Sequence, residues 1–171
     1  MKNLITIFIL LIFFSCNCPK NKNNSNIEIN ARLIRSYDSI YDYDTEEHKT
    51  FDVRIVIKNK SDKLVTFWIM TCDWENNFKI NNDYICFNRH DCDGNYAHKR
   101  RLKPNDSLTY NCIIRKFKNI QSYSSKTTKF GLVYIDSLNC SSSEEYYEIM
   151  CDKSKQEKII WSNPLYLNKA K

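Results

Sequence analysis

The stretch Phe51-Asp52-Val53-Arg54-Ile55-Val56-Ile57, the polar Asn59-Lys60-Ser61-Asp62 after it, and Leu64-Val65-Thr66-Phe67-Trp68-Ile69-Met70 decide the fold class. The first segment alternates apolar and polar residues with period two, which puts one face of a strand in a core and the other in water. Asn, Ser and Asp are turn formers, so a hairpin joining the first and third segments is expected. The third segment is apolar on both faces. That pattern predicts a central strand covered on both sides.

Working outward, Ile27 to Leu33 alternates in the same way, and short apolar pieces follow at 78–80 and 84–87. Lys103-Pro104-Asn105-Asp106 is a turn signal, with Leu108, Tyr110, Cys112 and Ile114 falling on one face of the strand beyond it. Residues 130–135, 146–151 and 159–167 complete the series, and residues 88–101 read as a polar loop. Pro164 lacks an amide donor and predicts that the last strand lies at a sheet edge. Seven to nine short strands with no helical period predict an all-β, antiparallel β-sandwich rather than a barrel, stapled by disulfides. The hairpin-like segments and edge strand resemble immunoglobulin-like accessory domains of exported bacterial proteins. That resemblance is architectural and implies no activity.

At the N-terminus, Lys2 precedes an unbroken apolar run from Leu4 to Phe14, followed by Ser15-Cys16. A basic end, a short apolar core and a small residue before the processing point form a secretory leader. Eleven helical residues cover only about half of a roughly 30 Å hydrocarbon core, so the run is too short to span a membrane. Ser15-Cys16 resembles the lipobox of bacterial lipoproteins, which implies cleavage after residue 15 and diacylglycerol on Cys16. Asn17 is not the Asp that marks inner-membrane retention in lipoproteins of this kind, so the resemblance implies an outer-membrane anchor. Residues 16–26 are polar and read as a flexible tether, leaving 27–171 as one domain.

The chain has 171 residues and a formal charge of +6, too small and too dispersed to imply a nucleic-acid partner. With only 2 glycines it carries no phosphate-cradling loop and no serine nucleophile elbow. Eight cysteines in an exported chain favour disulfides. With Cys16 reserved for lipid and Cys18 in the tether, six remain in the domain. Cys72–Cys112 is expected because Cys72 shares a face with Trp68 and Met70, and Cys112 one with Tyr110 and Ile114. Cys86–Cys92 and Cys140–Cys151 are expected from short separation.

Cys86, His90, Cys92 and His98 are residue types that zinc accepts, but their spacing fits no usual zinc pattern, and Asp91-Cys92-Asp93-Gly94-Asn95 lacks the closing Glu of a calcium loop. No metal or other cofactor is expected. His98-Lys99-Arg100-Arg101-Leu102-Lys103 is the densest basic run, able to meet an anionic partner or simply to solvate a loop. The acidic stretch 38–49 reads as a solvated loop. Glu144, Glu145 and Glu148, and the pair His48 and Asp52, have no nucleophile or cleft assignable to them, so no catalytic residue and no enzymatic role is expected. Trp68, Trp74 and Trp161 read as core or core-margin residues.

The expected function is therefore that of a binding or accessory module, held to the bilayer by its acylated cysteine and meeting a protein partner in the envelope. Alternatives are an envelope-assembly or secretion-system subunit offering an edge strand, an inhibitor or immunity-type protein, and an envelope hydrolase with an unrecognised site.

Overall fold

The computed structural model describes residues 26–40, 47–88, 92–116, 127–156 and 158–167. Cys16, Cys18, the leader and almost all of the tether lie outside the described residues. The elements are strands β1 (Ile27–Ile40), β2 (Glu47–Asn59), β3 (Val65–Met70), β4 (Phe78–Ile80), β5 (Ile85–Phe87), β6 (Ala97–Leu102), β7 (Ser107–Lys116), β8 (Phe130–Val133), β9 (Ile135–Asp136) and β10 (Ile159–Trp161). Among the described residues one α-helix, α1 (Ser143–Cys151), follows β9.

The fold is an antiparallel β-sandwich. One layer is the sheet β1-β2-β7-β5. The other consists of β10-β8-β4 and β6-β3-β9. β8 and β9 are one nearly continuous strand that changes neighbours at Tyr134, pairing first with β4 and β10 and then with β3. The alternation in β2 has the expected effect. Phe51, Val53, Ile55 and Ile57 are all buried and pack on Phe67 and Ile69 of β3 and Phe130 and Leu132 of β8, while Asp52 and Arg54 face outward.

β3 is covered on both sides, as its sequence predicts. Phe67 and Ile69 face the sandwich interior, and Trp68 and Met70 face a second cluster with Val133, Ile135, Cys140 and Tyr146. The cover over that second face is α1, where a strand was expected over 146–151. Ser142 caps the helix by accepting from the Glu145 amide at 3.3 Å, and the Glu145 carboxylate accepts in return from the Ser141 amide at 2.7 Å. The Ser142 hydroxyl so satisfies a donor that a helix start leaves unpaired, and Glu145 ties the residue before the cap to the first turn. Tyr146 is fully buried, and its hydroxyl donates to Asn77 Oδ1 at 3.0 Å, which also accepts from the Met70 amide. The Trp68 indole donates to the Cys140 carbonyl at 2.8 Å, tying β3 to the segment that leads into α1.

Three further expectations are corrected. β2 and β3 do not form a hairpin, because β2 pairs with β1 and β7 whereas β3 pairs with β6 and β9. The turn between them instead carries the chain across the sandwich. Asn59, fully buried, holds it: its side-chain amide reaches the carbonyls of Lys63, Leu102 and Lys103, and its Oδ1 accepts from Ser61. Among the described residues there are ten strands rather than seven to nine, because β6 occupies part of the expected polar loop 88–101 and the 130–135 strand divides at Tyr134. β1 also runs on through Asp38, which pairs with Lys49 of β2, so both ends of the expected acidic loop belong to the ladder. β10 does lie at a sheet edge, as Pro164 implies.

Candidate interaction surface at strand β6

β6 contains most of the basic run and is the outer strand of its sheet, with β3 on one side. Its backbone can be assigned group by group. The Thr71 amide donates to the Tyr96 carbonyl at 2.9 Å, and antiparallel ladders alternate between bonded and non-bonded pairs. His98, Arg100 and Leu102 therefore turn their N–H and C=O groups toward β3, and Ala97, Lys99 and Arg101 turn theirs outward. The Ala97 amide, pointing outward, meets the hydroxyl of Tyr147 from α1 at 3.2 Å, in agreement with that register. Beyond Ala97 the open edge is presented by Lys99 and Arg101.

The side chains of Lys99, Arg100 and Arg101 are all exposed. Lys99 and Arg101 lie on the α1 face, since they sit opposite Trp68 and Thr66, and Arg100 lies on the opposite face beside Phe67. Lys99 Nζ stands 4.9 Å from the Trp68 ring centroid and 3.5 Å from the Ser141 carbonyl oxygen, so its stem covers apolar surface while its charge stays at the rim. Tyr110, on the other layer, stacks on Trp74 at 4.3 Å; burial pushes its hydroxyl up to about 12, against the opposing influence of Arg100. His98 is pulled down by burial and by Arg100, with a hydrogen bond to the backbone of Ile69 acting the other way.

The start of this edge is fixed by a disulfide the sequence did not suggest. Cys72, just past β3, is bonded to Cys92, with a Cα–Cα distance of 6.1 Å. Asn95 clamps the same corner: its Oδ1 accepts from the amides of Cys72 and Asp73, and its Nδ2 donates to Asp73 Oδ2 at 2.9 Å. The expected pairs Cys72–Cys112, Cys86–Cys92 and Cys140–Cys151 are not formed, and Cys86, Cys112, Cys140 and Cys151 are thiols. Cys72 is exposed past the end of β3 and its sulfur is taken by Cys92, whereas Cys112 is buried on β7 with Sγ donating to the Val53 carbonyl. Cys86 lies on β5 beside Arg115, whose Nε is 3.4 Å from its sulfur. Cys140 and Cys151 stand before the cap and at the end of α1, and a nine-residue helix at about 1.5 Å per residue holds them well beyond the roughly 7 Å that a disulfide tolerates. Burial raises the Cys112 and Cys140 thiols, which keeps both protonated.

The other candidate residues are dispersed. His90 and Asp91 lie outside the described residues. Cys86 and His98 are on strands of different layers, and the sulfur of Cys92 is committed to Cys72. Among the described residues, metal-ligand types converge only at Cys72, Asp73 and Cys92, where the two sulfurs bond each other and offer no thiolate. The Glu145 carboxylate is engaged at the helix start, and Glu148 pairs with Lys155 at 3.4 Å. Asp52 is paired with Arg35 and accepts from Tyr37, and His48 stands four residues along the same strand, about 13 Å away. Trp68 is buried, Trp74 packs at the core margin, and Trp161 is 40% exposed at the β10 edge.

One open depression of about 500 Å³ lies where β10 stops covering β9, walled by Tyr134, Asp136, Gln156 and Lys158. Within it Tyr134 Oη lies 3.4 Å from Asp136 Oδ2 and Lys158 Nζ 4.8 Å from the Tyr134 ring centroid, while Gln156 Nε2 donates to the Met150 carbonyl at 2.8 Å and its buried Oε1 has no protein partner. No helix among the described residues is long and apolar enough to cross a membrane. No protein-family model matches the chain, and no curated protein matches its sequence.

Proposed function

We propose that this chain is a lipid-anchored protein of the bacterial envelope whose β-sandwich works as a binding module for another protein. The single observation that carries the binding reading is the open edge of β6, where the outward N–H and C=O groups of Lys99 and Arg101 stand beside three exposed basic side chains. An exposed edge is a template for another strand, which soluble domains ordinarily cover or keep very short. The leader and Ser15-Cys16 support the anchor, and the polar residues 17–26 supply the reach a tethered module needs. Asn17, where the lipoproteins this leader resembles carry Asp for inner-membrane retention, supports outer-membrane placement. The module acts by binding rather than chemistry: Glu145 is engaged at the start of α1, and Glu148 and Asp52 are held in ion pairs.

Three measurements test this reading. An alkynyl fatty-acid probe should label the wild-type chain and not Cys16→Ala, and equal labelling of both would remove the anchor. A photo-crosslinking residue placed at Arg101 in the full chain should trap one stoichiometric envelope protein. A hydrolase screen that finds turnover would replace the binding module with an enzyme.

A further inference from the structure

The edge of β6 also restricts what can dock there. Lys99 and Arg101 are the two residues whose backbone groups face outward beyond the Tyr147 contact, so an added strand finds four main-chain groups, two donors and two acceptors. Tyr147 closes the edge at Ala97, because its hydroxyl already takes that amide. The other end is closed at Lys103, whose amide donates to Asp106 Oδ2 at 3.2 Å within the turn to β7. The window is short and has defined ends.

Charge then selects among strands. A second copy pairing edge to edge through this window would bring Lys99, Arg100 and Arg101 against their own equivalents, and like charges directly opposite across a ladder are destabilising. The same row suits a strand carrying carboxylates, which would face Lys99 and Arg101 on the α1 side and Arg100 on the other. Resting on the binding-module reading above, we propose that β6 takes up an extended acidic segment of a different protein as an additional antiparallel or parallel strand alongside Lys99 to Leu102, and that its basic row excludes self-pairing.

The test uses the full chain in detergent and a fluorescein-labelled Val-Glu-Val-Glu-Val-Glu peptide, followed by anisotropy. Saturable binding is expected. Methylating alternate peptide nitrogens, which removes the donors without changing charge, should weaken it about tenfold, the equivalent of about 1.4 kcal/mol. Lys99→Glu with Arg101→Glu should abolish binding of the acidic peptide and admit its Lys-for-Glu counterpart, whereas Arg32→Glu on the opposite layer should change nothing. The N-methylated comparison uses the wild-type chain, so it stands even where a charge-reversed variant folds poorly. Three outcomes would overturn the proposal: indifference to N-methylation, which means plain charge attraction; an equal loss with Arg32→Glu, which means a diffuse field; and no saturable binding up to about 1 mM, which means the basic row only guards the edge. If the peptide fails while a partner crosslinks through another face, the binding module survives and the β6 edge does not.

Discussion

Removing the Cys72–Cys92 bond gives the most discriminating test of the fold's covalent frame. The bond closes a loop of about 20 residues that contains the turn after β3, β4, β5 and the start of the β6 corner. In the chain-entropy picture, a loop of that length restricts the unfolded state by about 11 cal/mol/K, which is about 3 kcal/mol at 25 °C. Urea denaturation of Cys72→Ala should therefore show a loss of about 3 kcal/mol, a midpoint lower by about 2 M where the slope is about 1.5 kcal/mol/M. The decisive feature is non-additivity. Each single change removes the whole crosslink, so Cys72→Ala, Cys92→Ala and the double variant should coincide, and reducing agent should bring the wild type to the same midpoint. Non-reduced peptide mapping should recover one fragment joining Cys72 to Cys92. A fragment joining Cys86 to Cys92, or additive losses from the two single changes, would refute the pairing and with it the fixed corner at the start of β6.

Gly131 on β8 lies opposite Trp161, and a Cβ there would stand 2.6 Å from Ile159 Cγ2 and 2.8 Å from the Trp161 ring. Gly131→Ala should therefore destabilise by about 1–3 kcal/mol in thermal or urea unfolding, despite the better strand propensity of Ala, and adding Trp161→Ala should recover part of the loss. Ser142→Ala should cost about 1 kcal/mol by uncapping α1, with Ser142→Asp near neutral in the same melt. His98, lowered by burial and by Arg100, holds fewer protons in the folded than in the unfolded state, so its contribution is complete above pH 6.5 and is lost as pH falls from there through its folded value. Melting temperature should accordingly decline below pH 6.5, before the lowered carboxylates Glu28, Glu144, Glu145 and Asp152 begin to add their own losses below pH 4.5, and His98→Gln should flatten the upper segment alone.

The strands with one buried face were legible because their burial is local. The β2 pattern, Val53, Ile55 and Ile57 inward with Asp52 and Arg54 outward, needs no knowledge of the partner strand. What β3 pairs with was not legible. Its hairpin to β2 looked natural from the turn residues, but period and turn chemistry do not distinguish a hairpin from a crossover, and the difference rests on Asn59, a buried amide that reaches carbonyls 43 and 44 residues away. The helix was hidden for another reason. Tyr146 is the one helical residue fully buried, so α1 presents too narrow an apolar stripe to show a helical period, and only the Ser142-x-x-Glu145 cap marks it in the sequence.

The basic run was visible from the first, and its role as an edge was not, because an edge is a property of topology rather than of residue type. β6 is an edge because the chain leaves β3 through the Cys72–Cys92 corner, returns along one side of it, and then crosses to the other layer at Lys103, while β9 takes β3's remaining side. α1 then packs over Trp68 and extends Tyr147 to the Ala97 amide, closing one end and leaving Lys99 and Arg101 open. A charged edge strand is also how a sheet avoids indiscriminate pairing. Both roles follow from the same three side chains: their positive row repels a second copy, and the same row selects a strand that brings carboxylates. Discrimination between partners by repulsion as well as attraction is what a binding edge needs in order to remain open without aggregating.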